Sequence, residues 1–310
     1  MASYPKLSIY FITYNHAQFV AKALDSVLMQ RASFDYEIII GDDCSTDGTL
    51  EIIQDYQRRW PEKIKALTQK TNVGMGKNIK LTLERCTGEY IACLEGDDYW
   101  TDPEKLRTQV EYLDSHPDCA LVHHRVDHIA WPSGAKIREF PPPQFRQPRP
   151  DPHGLALFNY IQTCSVVFRR KWLPPIDEQF QQLKLADWPL CVLLGQRGWI
   201  GYINRTMAHY RIHANNSWNN RPADYKLQAM EAMARYLVKR VDEPSKEVWK
   251  DTILAILFKK LILAVQSLSL TSSMASLRCF VASCLGFKKP FWVVNKFWPY
   301  FKTNYMAARL

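Results

Sequence analysis

The residues with the plainest capacity for chemistry are the carboxylates of Leu94-Glu95-Gly96-Asp97-Asp98-Tyr99-Trp100, which end a short apolar run. Carboxylates crowded at the tip of a buried strand repel one another, and a divalent cation relieves that cost. Oxygen-only ligands favour hard Mg²⁺ or Mn²⁺, held by one or two protein carboxylates together with substrate phosphates. The same residues would also serve as a solvated acidic turn in front of a helix. A second acidic turn, Asp42-Asp43-Cys44-Ser45-Thr46-Asp47-Gly48-Thr49, is rich in side chains that bond turns and cap helices. The segment from Asn72 to Asn78 adds Gly74 and Gly76, which permit close backbone approach, and Lys77, able to meet a phosphate. Alone, it is an ordinary strand-to-helix loop.

These segments need a scaffold, and the periodicity supplies one. Residues 7–12, 37–40, 63–67 and 90–94 read as strands, and residues 18–30, 50–60 and 79–85 as helices. A further helix is signalled by Asp102 as cap and Pro103 at the first helical position. Strand and helix alternate, which predicts a mainly parallel α/β sheet covered on both sides. In such a sheet ligands bind outside the carboxyl ends of the strands, where Tyr14-Asn15, Asp42-Asp43 and the acidic segment at Glu95 to Asp98 all fall. A proline-rich stretch from Pro132 to Pro152 predicts an extended loop dividing a first half, 1–115, from a second, 116–220. Beyond it, residues 165–168 and 199–203 read as strands around a helix beginning near Asp187. Residues 221–310 form a helical, basic extension.

Composition narrows the classes. The chain has 310 residues, 47% hydrophobic and 23% charged, which is that of a folded globular protein. From residue 252 onward there are eight basic and no acidic residues, so this tail carries +8 of the formal +9 and the body is nearly neutral. A nucleic-acid partner is therefore not expected of the body. Eight scattered cysteines without a CxxC pair fit free thiols in a reducing cytoplasm rather than disulfides or structural zinc. The first residues lack a signal peptide's apolar stretch, and Lys259 and Lys260 interrupt the best candidate span.

Taken in order, the segments YNHAQFVAKALDSVLMQ, EIIIGDDCSTDGT, NVGMGKNIKLTLERCTGEYIACLEGDDYW, TCSVVFRRKWL, LADWPL and YRIHANNSW resemble the family-2 inverting glycosyltransferases with the GT-A fold, from about Lys6 to Trp218. The resemblance implies that Tyr14 stacks on the nucleobase of a nucleoside-diphosphate sugar and Asp43 binds its edge, with Asn72 and Lys77 on the same donor. It implies further that Asp97 faces the donor ribose or sugar, that Asp98 holds Mn²⁺ or Mg²⁺, and that Asp97 and His213 lie close to that ion. Asp187, at the start of its helix, stands where the family keeps the general base that deprotonates the acceptor hydroxyl; the other reading of Asp187 is a simple helix cap. Two departures stand out. Ala186 occupies a position where many relatives have Glu, and Glu95 one where many have Asp, which implies an outer role for Glu95 through a metal-bound water. His213 has the alternative of a structural hydrogen-bonding residue, and no metal role is implied for His123, His124 and His128.

The resemblance implies a UDP- or dTDP-sugar donor, a glycan or lipid-linked glycan acceptor, and work in surface polysaccharide or glycolipid assembly. Two other classes share parts of the pattern: a sugar-nucleotide nucleotidyltransferase, which would want a glycine-rich N-terminal phosphate loop absent from Tyr14-Asn15-His16, and a non-enzymatic binder acting through the basic tail. In residues 252–310 lysines alternate with Leu254, Leu257, Phe258, Leu261 and Ile262 and with Phe291, Trp292, Phe297, Trp298, Tyr300 and Phe301. That pattern suits a peripheral contact with the inner face of the plasma membrane, or packing on the body or on a second copy of the chain.

Overall fold

The computed structural model describes residues 4–149, 154–216, 218, 220–266 and 270–287. Two compact units account for the chain. The first comprises Met1–Pro150, Tyr160–Gln182 and Leu194–Asn216, and the second Asp151–Asn159, Leu183–Leu193 and Ser217–Leu310.

The first unit is built on a nine-stranded mixed sheet. Its strands are β1 (Leu7–Thr13), β2 (Tyr36–Asp42), β3 (Ile64–Thr68), β4 (Tyr90–Glu95), β5 (Tyr99–Trp100), β6 (Cys119–Ala130), β7 (Lys136–Phe140), β8 (Val167–Arg169) and β9 (Trp199–Ile212). The order is β3-β2-β1-β4-β8-β6-β9-β5, with β7 pairing on β6. Strands β3, β2, β1 and β4 are parallel, as their alternation with helices α1 (Val20–Leu28), α2 (Thr49–Arg59) and α3 (Met75–Leu83) requires. All seven residues of β1 and of β2 are buried, which explains their continuous apolar runs: helices cover both faces. Ile9, Phe11, Val20, Leu24, Val27, Ile38, Ile40, Ile53 and Leu94 form one core, each burial contributing roughly 1.5–3 kcal/mol.

Helix α4 (Lys105–Ser115) begins two residues beyond Pro103 with Glu104 rather than Asp102 at its N-cap and no side-chain cap; the Asp102 carboxylate instead accepts the Glu104 N–H at 2.9 Å in the preceding turn. The proline-rich stretch contains a strand the prolines do not announce. They bracket β7 without interrupting it, and β7 returns antiparallel along β6 with Val126 opposite Phe140. Strand β9 is far longer than residues 199–203, running parallel to β6 until Ala130 faces Ile212. Helix α6 (Glu178–Gln181) is capped by Asp177, whose carboxylate accepts the Phe180 N–H at 2.7 Å.

The second unit contains α5 (Gly154–Leu157), the start of α7 (Asp187–Gly195), α8 (Ala223–Val238), α9 (Ser245–Gln266) and α10 (Leu270–Phe287). Leu227, Met230, Met233 and Leu237 of α8 and Ile253, Leu254, Ile256 and Leu257 of α9 are buried, while Phe258 of α9 meets Phe280 of α10 at 5.6 Å between ring centroids. Lys260 is ion-paired with Glu231 at 2.8 Å. Two of the apolar residues expected to meet a membrane, Leu254 and Leu257, are thus interior, and Phe291 to Phe301 lie outside the described residues. No helix among the described residues is long and apolar enough to cross a membrane. All eight cysteines are free thiols.

Strand β6 carries His123, His124 and His128 into the interior. Burial pushes His123 and His128 down to about 3, with the Arg138 charge adding to the effect at His128, and holds His124 well below its ordinary value. Each is neutral in the folded chain, whereas the unfolded chain binds protons once the pH falls below about 6.5. Their stability is therefore intact above that value and lost as pH falls toward 3, at about 1.4 kcal/mol per pH unit for each histidine. Urea unfolding should show a falling midpoint between about pH 7 and about pH 5, and His123→Phe, whose ring fits between Tyr160 and Tyr202, should flatten the dependence by about 2 kcal/mol over that interval. An unchanged slope in the variant would contradict this origin.

Candidate active site

The chain runs outward from β1 to β2 to β3 and then returns to β4 on the other side of β1, so the order reverses between β1 and β4. At such a switch point the loops leaving the two strands diverge and open a crevice. Thr13 ends β1 and is followed by Tyr14, which is 45% exposed. Asn15 adopts a positive φ of 55°, a left-handed conformation that Asn tolerates. The loop is tied to the one after β2: Asn15 N–H donates to Ser45 Oγ at 2.9 Å, Thr46 N–H to Asn15 Oδ1 at 2.9 Å, His16 N–H to Thr49 Oγ1 at 2.8 Å, and Ala17 N–H to Asp47 at 3.0 Å. Asp43, buried beside Thr13, accepts the N–H groups of Val73 at 2.7 Å and Gly74 at 3.0 Å, so it anchors the loop in front of α3. Gly74 has φ +84°, which disfavours any side chain there.

The acidic segment leaves β4 on the other side of the switch point. A Cβ on Gly96 would collide with Thr13 and His16, so only glycine lets the turn lie against the end of β1. Strand β5 then pairs with β9, placing Tyr99 opposite His209, and this clamps the turn between β4 and β9. Ligand atoms of Glu95, Asp97 and Asp98 lie within 4.8 Å of one another. Asp97 is met by His213 Nε2 at 3.1 Å, Asn216 Nδ2 at 3.4 Å and His16 Nε2 at 3.8 Å, all on Oδ2. Asp98 is fully buried and its Oδ1 accepts the Arg211 N–H at 3.0 Å. Arg211, itself 1% exposed, lies over the rings of Phe19 and Tyr99 at 4.9 and 4.8 Å and donates to the carbonyls of Phe19 and Asp98.

These partners split the two aspartates electrostatically. Burial alone would raise Asp97, but the neighbouring His16 and His213 and the hydrogen bond from His213 outweigh it and hold Asp97 below the usual carboxylate range. Burial and then the adjacent Asp97 charge push Asp98 well above that range, against the pull of Arg211. Its Oδ2 is buried without a hydrogen-bond partner among the described residues. A clustered set of carboxylate oxygens containing one buried and unsatisfied atom fits a hard divalent cation.

Among the residues singled out in the sequence, Asp97, Asp98 and His213 meet, with Glu95 beside them. Tyr14 stands at the end of the neighbouring strand, and Asp43 is bound to the loop carrying Asn72, whose side chain accepts the Gly74 N–H at 3.1 Å. Lys77 is exposed in the first turn of α3. Asp187 belongs to the second unit, where it opens α7 and accepts from Asn159 Nδ2 at 3.2 Å; Trp188 beside it donates to the Leu155 carbonyl at 2.7 Å. His16, Arg211 and Asn216 were not singled out. The alternation of a strand does hint at Arg211, since it shares a face with His213 two residues on; nothing in the sequence marks His16 or Asn216 as partners of Asp97.

The chain has the α/β architecture of the GT-A fold. It aligns with Staphylococcus aureus TarS 1–349, solved in complex with UDP-GlcNAc, over 98% of this chain and 90% of that one, at a TM-score of 0.66 and 18% identity. The mannosyltransferase PcManGT of Pyrobaculum calidifontis, solved with GDP-Man and Mn²⁺, aligns over 100% of this chain and 89% of that one, at a TM-score of 0.56 and 15% identity. The profile described as "Glycosyl transferase family 2" matches residues 8–173, and the chain belongs to that family. An uncharacterized protein of Mycobacterium tuberculosis is 41% identical over 218 residues, 70% of this chain and 62% of the relative, so the chain matches less than two thirds of that relative's length. The putative teichuronic acid biosynthesis glycosyltransferase TuaG of Bacillus subtilis is 30% identical, over 70% of this chain and 83% of its own length.

The two N–H groups on Asp43 make a test of this architecture. Asp43→Ala strips the Val73 and Gly74 donors of their acceptor, and the expected loss is roughly 2–4 kcal/mol in urea unfolding, with faster proteolysis near residue 73. Unaltered stability and cleavage would show that the loop is held by other contacts.

Proposed function

We propose that this chain is a metal-dependent inverting glycosyltransferase that moves a sugar from a nucleoside-diphosphate donor to an acceptor hydroxyl, in the assembly of a surface polysaccharide or glycolipid. The observation that carries the reading is the buried, unsatisfied Asp98 oxygen within the Glu95-Asp97-Asp98 cluster at the sheet's switch point. The UDP-GlcNAc bound to TarS, the GDP-Man bound to PcManGT and the teichuronic acid pathway of TuaG point the same way. A UDP- or dTDP-sugar is the donor in this reading, and a glycan or lipid-linked glycan the acceptor.

In this mechanism the exposed Tyr14 ring stacks on the nucleobase. The Asp43 oxygens, each with a lone pair beyond its backbone bond, receive the base edge. Asn72 and Lys77 flank the donor from the α3 side, with the Lys77 ammonium meeting a phosphate. Asp97, held in its charged form by His16 and His213, accepts from ribose or sugar hydroxyls. His213 acts through Asp97, which its Nε2 faces. Asp98, with Asp97 and Glu95 beside it, would hold Mn²⁺ or Mg²⁺, which when bound stabilises the charge on the departing diphosphate.

Asp187 takes the proton of the acceptor hydroxyl as its oxygen forms the bond to the anomeric carbon. The bond from that carbon to the diphosphate breaks on the opposite face, so one displacement inverts the configuration. The lysines of residues 252–310 bring the enzyme to an anionic membrane surface in this reading, beside a lipid-linked acceptor, and the protein works in the cytoplasm.

Two variants separate the roles. Asp187→Asn should lower turnover by about 10²–10⁴-fold while leaving donor affinity within about threefold, because only proton removal is lost. Asp98→Asn should abolish the Mn²⁺-dependent part of nucleotide-sugar binding measured by calorimetry. Near-normal transfer by Asp187→Asn would remove the assignment of the base, and nucleotide-sugar binding indifferent to metal in the unaltered protein would remove that of Asp98.

A further inference from the structure

We infer that the exposed indole of Trp131 is the platform on which a pyranose ring of the acceptor stacks. The inference rests on the glycosyltransferase reading and adds the residue that receives the glycan acceptor, selecting a sugar ring over a polyol phosphate.

The topology supplies the first part of the argument. β4 is parallel to β1, and β4 and β6 are both antiparallel to β8, so β1 and β6 point the same way. Tyr14 follows the end of β1 and Trp131 follows the end of β6, so both emerge at one edge of the sheet. Strand β4, with the acidic turn at its tip, lies between them in the strand order. Tyr14 and Trp131 are 45% and 41% exposed. The acidic cluster is thus flanked by two exposed aromatics, and the reading above gives the nucleotide the Tyr14 side.

The second part is how firmly the indole is held. The Trp131 N–H continues the β6–β9 pairing by donating to the Ile212 carbonyl at 2.9 Å, and Gly134 N–H closes the turn on the Ala130 carbonyl at 2.8 Å. The ring meets Phe19 edge to face, with centroids 5.2 Å apart and planes at 78°. Phe19 is 5% exposed and lies 4.4 Å from the ring of His213, whose Nε2 reaches Asp97 at 3.1 Å. One ring, that of Phe19, thus separates Trp131 from His213, a partner of Asp97.

A tryptophan fixed on one side and open on the other suits the C–H face of a pyranose, which buries apolar surface and makes weak C–H···π contacts. The turn itself, Trp131-Pro132-Ser133-Gly134-Ala135, carries no charged side chain, so it offers a polyol phosphate no cation.

The test uses the full chain labelled with 5-fluorotryptophan, the Trp131 ¹⁹F resonance being assigned by its loss in Trp131→Phe. Methyl glycosides of glucose, galactose, mannose, rhamnose and N-acetylglucosamine are titrated alongside glycerol phosphate and ribitol phosphate. At least one pyranoside should shift that resonance saturably, and neither polyol phosphate should. With that pyranoside as acceptor, Trp131→Ala should raise its KM by about tenfold, the size of one good aromatic contact, with Trp131→Phe between the two and the KM for the nucleotide sugar within about twofold. The inference is overturned if no pyranoside moves the resonance, if a polyol phosphate moves it equally, or if Trp131→Ala leaves the acceptor KM unchanged. Failure of the glycosyltransferase reading shows separately, as absence of nucleotide-sugar turnover by the unaltered chain.

Discussion

Two adjacent carboxylates held at the tip of a buried strand are the constraint around which the first unit is arranged. Asp97 and Asp98 are 8% and 0% exposed, so water cannot screen their repulsion. The protein answers with β9, which contributes an N–H from Arg211 to Asp98 and, just past its end, His213 and Asn216 to Asp97. Strand β5 exists to make that possible. Only two residues long, it turns the chain back from the acidic turn and pairs it with β9, so a strand distant in sequence becomes the wall of the cluster. The compensation is deliberately incomplete in its effect: Asp97 gathers three partners, whereas Asp98 keeps one oxygen without a strong donor.

The loops on the other side of the switch point are rigid for a different reason. Asn15, His16 and Ala17 are bonded to Ser45, Thr46, Asp47 and Thr49, and Asp43 is bonded to Val73 and Gly74. Side chains of one loop thus satisfy backbone groups of the next, which a crevice open to solvent would otherwise leave to water. Tyr14, exposed at the end of β1, thus stands on a fixed base.

Much of this was legible in the sequence, where local physics and tertiary structure agree. Strands β1, β2 and β4 are largely apolar and buried because helices cover both faces, and their limits follow from the polar residues at each end. The acidic turn stands out because three carboxylates within four residues have few structural uses. What stayed hidden depends on pairing between distant segments. β7 is a polar edge strand, with Lys136, Arg138 and Glu139 in five residues, so its composition reads as loop; it exists because β6 offers an unpaired edge. The reach of β9 beyond residue 203 is hidden likewise by Asn204, Arg205 and Thr206, polar residues in the middle of a strand whose register is set by β6. His16 is hidden because its relation to Asp97 arises only when Gly96 lets two loops touch.

The unequal treatment of the two aspartates also bears on why they are adjacent. Within the turn Asp97 meets His213, Asn216 and His16, while Asp98 accepts the Arg211 N–H and keeps its second oxygen without a hydrogen-bond partner among the described residues. Adjacency thus gives two environments from one short segment, with Asp97 held charged by histidines and Asp98 destabilised as an anion unless a cation arrives. In the proposed metal site a divalent ion would act chiefly on Asp98, the carboxylate that burial and its neighbour leave destabilised as an anion.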